Sequence, residues 1–184
     1  MCGANVMTDT DRVMIYIDGS NVYHSLKDQF RRTNLNFERF CQKLVDKRQL
    51  IRIYYYNAPV DQAKEPQRHE EQQKFFDRMR RIPYMEVKLG RLVYRNWPQE
   101  PAYEKGIDVR LAVDMITHAH RGNYDVAILV SGDNDFADAL QAVKDEGKRV
   151  EVALFGREWS SQQLRDVADR AVDINRTYLR SCWW

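Results

Sequence analysis

The sequence predicts an α/β protein built on a mostly parallel sheet with helices on both faces. Strands and helices alternate along most of the chain, which is the pattern of a parallel sheet connected through crossover helices. The strands are near-continuous apolar runs such as "VMIYI" and "VAILV", as expected where both faces of a sheet are covered. The length of 184 residues, 43% hydrophobic and 30% charged, suits a single compact domain over residues 1–184.

The elements follow in order. "RVMIYI" (12–17) is β-branched and apolar and breaks at "DGS", so it reads as a buried strand followed by a turn. Residues 21–30 read as a helix. Residues 36–47 read as a second, with Asn36 as its cap and Phe37, Phe40, Cys41 and Leu44 on one face. A strand over 49–58 is followed by the polar loop "DQAKEP". A helix over 67–82 carries Phe75, Phe76, Met79 and Ile82 as its apolar stripe. Residues 84–95 are extended, and 96–104, with two prolines, form a loop. A helix over 105–121, a strand over 124–130, a helix over 135–146 ended by Gly147 and a strand over 148–155 come next. Residues 160–168 open with Ser160 and Gln163 at capping-box spacing. "AVDI" (171–174) is a last short strand before a final helical turn.

The bulk numbers exclude several classes. A net charge of +2 gives no global preference for nucleic acid, so any such partner has to be argued from a local patch. Cys2, Cys41 and Cys182 fit neither a disulfide framework nor a zinc spacing. No apolar stretch approaches the roughly 20 residues of a membrane span. The first residues lack a charged region followed by an apolar one. A cytoplasmic protein is expected.

Two strands end alike. One runs into Asp18-Gly-Ser-Asn21, the other into Ser131-Gly-Asp133-Asn-Asp135. In open parallel sheets ligands bind outside the carboxyl ends of the strands, where strand order switches. If both strands are central, Asp18 and Asp133 meet there, with Asp135 facing the same crevice. Asp108 stands in the first turn of the helix opened by "EKGID". Asp114, six residues on, is turned about 240° round that helix, so Asp108 is the candidate site residue. One aspartate after a strand is an ordinary turn former or helix cap. Several ionised carboxylates within a few ångströms repel one another, and such a cluster is tolerable mainly around a cation. An all-oxygen donor set selects Mg²⁺ or Mn²⁺, one or two ions. There is no Ser-His-Asp set and no GxxxxGK[ST] loop, which leaves metal-assisted phosphodiester hydrolysis as the reaction class. Lys105 and Arg110 flank Asp108 and could meet a phosphate backbone.

"YIDGSNVY", "KGIDVRLAVDM" and "VAILVSGDNDFADAL" followed by "GKRVEVALF" closely resemble the NYN domains of the PIN-like group of metal-dependent ribonucleases, and within them the LabA-like branch. The match in order and spacing covers a core of about residues 12–175. The resemblance implies a Rossmann-like three-layer α/β/α sandwich and endonuclease activity on RNA, single-stranded or structured. It implies that Asp18, Asp108, Asp133 and Asp135 form the catalytic, Mg²⁺- or Mn²⁺-binding site. Asn21 would orient a ligand water or the substrate, and Ser131 would bond to a carboxylate or to phosphate. The alternative is a regulatory RNA- or protein-binding module of the same fold without turnover. An adhesion-type metal site, which also opens on Asp-x-Ser-x-Ser, is disfavoured because Val22 stands where the last serine belongs.

Other features have two readings. Arg78, Arg80, Arg81, Lys88, Arg91 and Arg95 form either a phosphate-contacting patch or a solvated face. Tyr54 and Tyr56 point to one face of their strand and Tyr55 to the other, for core packing ahead of base stacking. Trp97 sits in the proline loop and could stack on a base. His118 and His120 do not share a helix face, against a metal site. The closing "CWW" either packs on the domain or pairs with a second chain as a homodimer.

Overall fold

The computed structural model describes residues 10–156 and 162–184. A six-stranded parallel sheet forms its centre, in the order β3-β2-β1-β6-β7-β8. The strands are β1 (Arg12–Asp18), β2 (Gln49–Asn57), β3 (Met85–Leu89), β6 (Val126–Val130), β7 (Arg149–Phe155) and β8 (Arg170–Ile174). A separate antiparallel pair, β4 (Arg91–Val93) and β5 (Tyr103–Lys105), stands off the main sheet as an arm. The helices are α1 (Gly19–Ser25), α2 (Phe37–Val45), α3 (Pro66–Arg80), α4 (Ile107–His120), α5 (Ala137–Asp145), α6 (Gln162–Val167) and α7 (Arg176–Leu179).

Alternation along the strands divides the core in two. Val13, Ile15 and Ile17 of β1, Ile53 and Tyr55 of β2 and Val126, Ile128 and Val130 of β6 pack with Val22, Phe40, Phe76 and Leu179 on one face. Met14, Tyr16, Tyr54, Tyr56, Ala127 and Leu129 pack with Leu111, Met115, Leu140 and Leu164 on the other. This is the three-layer α/β/α sandwich of PIN-like proteins. The tyrosine triplet is used for packing, split between the faces as period-two geometry requires. Burial of side chains of this size is worth about 1.5–3 kcal/mol each. The same alternation fixes register, since a one-residue slip would exchange the two cores.

The departures from expectation are local. The first helix starts at Gly19 rather than residue 21, because Asp18 is its cap and accepts from the Asn21 N–H at 3.0 Å. It runs on as a π-helical turn, Leu26–Phe30, which stops at Arg31 with φ 55°. The extended 84–95 segment is split at Gly90, and β4 leaves the sheet to pair with β5 inside the predicted proline loop. The fourth helix begins at Ile107, since Gly106 has φ 75°, a left-handed conformation that suits glycine. Asn36 caps α2 through Arg39 N–H as expected. Ser160 of the expected capping box lies outside the described residues. The chain end packs on the domain: Trp183 bridges to Leu35 and lies against Phe30, while Trp184 is exposed. Among the described residues no helix is long and apolar enough to cross a membrane.

Candidate active site

Strands β1 and β6 are neighbours, with Ile17 opposite Val130, so both sequence motifs leave the sheet at the same edge. The chain proceeds from β1 outward on one side and from β6 outward on the other. This is the switch point at which a parallel sheet opens a crevice. Gly19 is required there: a Cβ would stand 2.4 Å from the Tyr55 ring and 2.6 Å from the Tyr56 carbonyl oxygen.

The two motifs are tied through hydrogen bonds. Asp18 is buried, with 4% of its surface exposed. It accepts from the Asn21 N–H and from the Ser131 hydroxyl at 2.9 Å. Ser131 Oγ accepts in turn from the Asp133 N–H at 3.2 Å. Asn21 Oδ1 accepts from the Gly132 N–H at 3.0 Å, and Asp133 Oδ1 from the Asp135 N–H at 3.0 Å. Ser131 and the Asn21 carbonyl oxygen are thus occupied in holding the two strand ends together.

A cavity of about 970 Å³ opens over this edge. Asp18, Glu104, Asp108 and Asp133 line it. Asp135 is exposed in the short turn Asn134–Phe136 and does not line the cavity, yet its charge reaches Asp108. Lys105 is exposed on β5, and Arg110 donates to the Leu89 carbonyl at 3.2 Å. Neither lines the cavity. Asp114 faces away, accepting from Tyr56 and pairing with Lys88 at 3.4 Å. His118 contacts the Tyr16 hydroxyl at 2.9 Å, and His120 pairs with Glu146. The basic run is divided: Arg78 lines the cavity, whereas Lys88 is held by Glu86 and Asp114.

Glu104 was not legible as a site residue. It sits on β5, whose burial alternates exposed, half-buried, exposed, and its half-buried side chain lines the cavity beside Asp18 and Asp108. The three residues "YEK" carried no usable signal, because the inward residue is the polar Glu104 while Tyr103 and Lys105 are exposed.

Like charges under partial burial shift the acids. Burial pushes the Asp18 carboxyl up to about 6, reinforced by Asp108 and Asp133 and opposed by its two hydrogen bonds. Glu104 is pushed up to about 7, by burial first and then by Asp18 and Asp108. Asp108 is raised by burial and by the charges of Asp133 and Asp135. Among the described residues no lysine or arginine forms an ion pair with any of these five acids.

Among the described residues, no three His, Cys, Asp or Glu side chains converge closely enough to hold a metal ion by themselves. The donor chemistry still fits a hard divalent cation. It is all oxygen, it repels itself, and Mg²⁺ needs only one or two carboxylates because it keeps several waters.

Residues 12–175 match the NYN domain family. The chain belongs to that family. It is similar to the low amplitude and bright protein LabA of Synechococcus elongatus, at 23% identity over 171 residues, covering 89% of this chain and 84% of that protein. The fold is also that of a protein of unknown function from Vibrio parahaemolyticus, with a TM-score of 0.72 and 24% identity, covering 92% of this chain and 96% of the other.

Proposed function

We propose that this NYN domain is a Mg²⁺- or Mn²⁺-dependent endoribonuclease. The observation that carries the reading is the set of carboxylates, Asp18, Glu104, Asp108 and Asp133, gathered at the switch point with no cation paired to them among the described residues. NYN domains are generally nucleases of PIN-like fold, which supports the same reading.

Asp18, Asp108 and Asp133, with Glu104 and Asp135 beside them, would hold the metal. When bound, it supplies a more acidic water and a counter-charge for phosphoryl oxygens. Ser131 and Asn21 keep the β1 and β6 ends in register, so the carboxylates hold their spacing as substrate arrives. In the reaction, water attacks phosphorus in line and the P–O3′ bond breaks. The products carry a 3′ hydroxyl and a 5′ phosphate.

A second reading has one observation in its favour: the acids do not converge on a single point as they stand. The same site would then bind RNA or a protein partner without turnover. Labelled single-stranded RNA, structured RNA and single-stranded DNA, incubated with Mg²⁺ or Mn²⁺, decide between the two. The nuclease reading requires RNA cleavage that EDTA and Asp133→Asn both abolish. Cleavage surviving both sinks the metal-acid mechanism, and RNA binding with no cleavage of any substrate establishes the second reading.

A further inference from the structure

Helix α4 carries two apolar stripes where folding needs one. Ile107, Leu111, Met115 and Ala119 face the core. On the outer side Val109, Ala112, Val113 and Ile116 fall within about 100° of one another at 100° per residue. That is the spacing of a helix face that meets a partner. Val109 and Val113 are 67% and 55% exposed, with Ala112 and Ile116 half-buried at the shoulder of the stripe.

The two flanks of this stripe are opposite in charge. On one side lies α5, with Asp138, Asp145 and Glu146 exposed; Glu146 reaches across to His120 of α4 at 3.3 Å. On the other side the surface steps down to β3, which packs Met85, Val87 and Leu89 on the first core and gives no residue to the second. This step is basic along the length of α4. Arg110 donates to the Leu89 carbonyl at one end. Arg52 and Lys88 stand near the Tyr54 hydroxyl, and Lys88 and Arg121 near His118. Among the described residues Arg52, Arg110, Arg121, Asp138 and Asp145 form no ion pair within the chain.

We propose that the outer face of α4 is the interface of a two-fold homodimer, with the Val109, Val113 and Ile116 stripes of two chains packed in parallel. The charges choose both the partner and the orientation. A two-fold axis along α4 sets the acidic α5 of each chain over the basic step of the other, an isologous contact made twice. An axis across α4 would set α5 against α5 and step against step, and like charges facing one another count against that arrangement. The 14 residues of α4 span about 21 Å. With neighbouring elements about 10 Å apart, the face covers about 600 Å² per chain, at the low end of specific interfaces. The dimer therefore forms with a Kd on the order of 10 µM. Because α4 begins at the crevice with Asp108, parallel packing opens both crevices at the same end of the dimer.

Sedimentation of the whole chain from about 2 to 200 µM tests this directly. The parent is expected to pass from one chain toward two across that range. Val113→Glu should weaken association at least about tenfold. Val113 is exposed, matched thermal unfolding checks that the variant is folded, and Val109→Glu serves as the second variant. Asp138→Lys/Asp145→Lys should weaken the dimer about tenfold through its flanks. Trp184→Ala, which truncates the exposed ring at the chain end, should change nothing. In a Cys2→Ser background, Val109→Cys should join to its own copy through a short bis-maleimide, since parallel packing sets residue 109 beside itself. Cys41 and Cys182 are buried and do not compete. A single chain at every concentration overturns the proposal. So does a dimer indifferent to both valine variants or to the α5 charges, one that Trp184→Ala dissolves, or one without a cross-link at position 109. No readout depends on cleavage, so this interface stands or falls apart from the nuclease reading.

Discussion

The two ends of the sheet hold the same kinds of acid in opposite states. At the N-terminal ends of the strands each acid has a cation. Asp11 pairs with Arg149 at 2.5 Å, Asp125 with Arg12 at 2.9 Å, and Glu151 with Arg48 at 2.7 Å, with Arg170 a further 3.6 Å contact. Asp125 is correspondingly held below the usual carboxylate range by its bonds from Arg12. At the C-terminal ends, Asp18, Glu104 and Asp108 are raised. Both ends bury an acid, Glu151 and Asp18 being 5% and 4% exposed, and among the described residues Glu151 has arginines beside it while Asp18 has no cation. The difference is partnership. A shift of Asp18 from 3.8 to about 6 corresponds to a cost on the order of 3 kcal/mol at neutral pH. Among the described residues the fold pairs Asp11, Asp125 and Glu151 with arginines at one edge and leaves Asp18, Glu104 and Asp108 without a cation at the other, a pattern common at functional sites.

Unpairing the N-terminal end is expected to have the largest effect. Arg48→Ala strands Glu151 in the core and costs about 3–5 kcal/mol in urea unfolding, while an apolar replacement of both partners recovers much of it. A smaller loss for the single variant would mean that Arg170 or water compensates and that the contrast is weaker than drawn. At the other end, saturating Mg²⁺ or Mn²⁺ should raise the unfolding temperature, by the equivalent of about 2.7 kcal/mol at a hundred times Kd. Arg48→Ala should leave that increment intact.

Asp18→Asn should stabilise the cation-free protein by about 1–3 kcal/mol near neutral pH while abolishing cleavage. The sign follows from the raised folded-state value. The protonated carboxyl's stability advantage is full below 3.8 and is lost as pH rises through about 6. Glu104 extends that loss to about 7. Cation-free parent protein should therefore lose stability across this window in thermal melts, and the Asn variant should have a flatter profile. The smallest change expected is from Arg12→Ala. This pair is more than a third exposed, so screening limits the loss to about 1 kcal/mol or less.

Most of the fold was legible because β1 and β6 are apolar on both faces and end in turn residues. The meeting of Asp18 and Asp133 at one crevice followed from that placement, whereas Asp108 was singled out by its place in the first turn of α4 and by the family resemblance. Glu104 did not follow. Its strand is three residues long and pairs with another that leaves the sheet at Gly90, and no local period identifies so short an element. The roles open to Asn21 and Ser131 depended on which atoms stand 3 Å away across more than a hundred residues, which spacing cannot reveal. Arg110 shows the converse. It is two residues from Asp108, yet helical rotation carries it away from the cavity to the Leu89 carbonyl.

The most direct test of the acidic edge as a divalent-cation site is calorimetric titration of Mn²⁺ into the parent chain and into Asp18→Asn/Asp133→Asn, in buffers of different ionisation enthalpy. The account predicts saturable binding that strengthens from pH 6 to about pH 8 and releases protons at the acid end of that range, and that the double variant loses. No binding by the parent at about pH 8, or undiminished binding by the double variant, would contradict it.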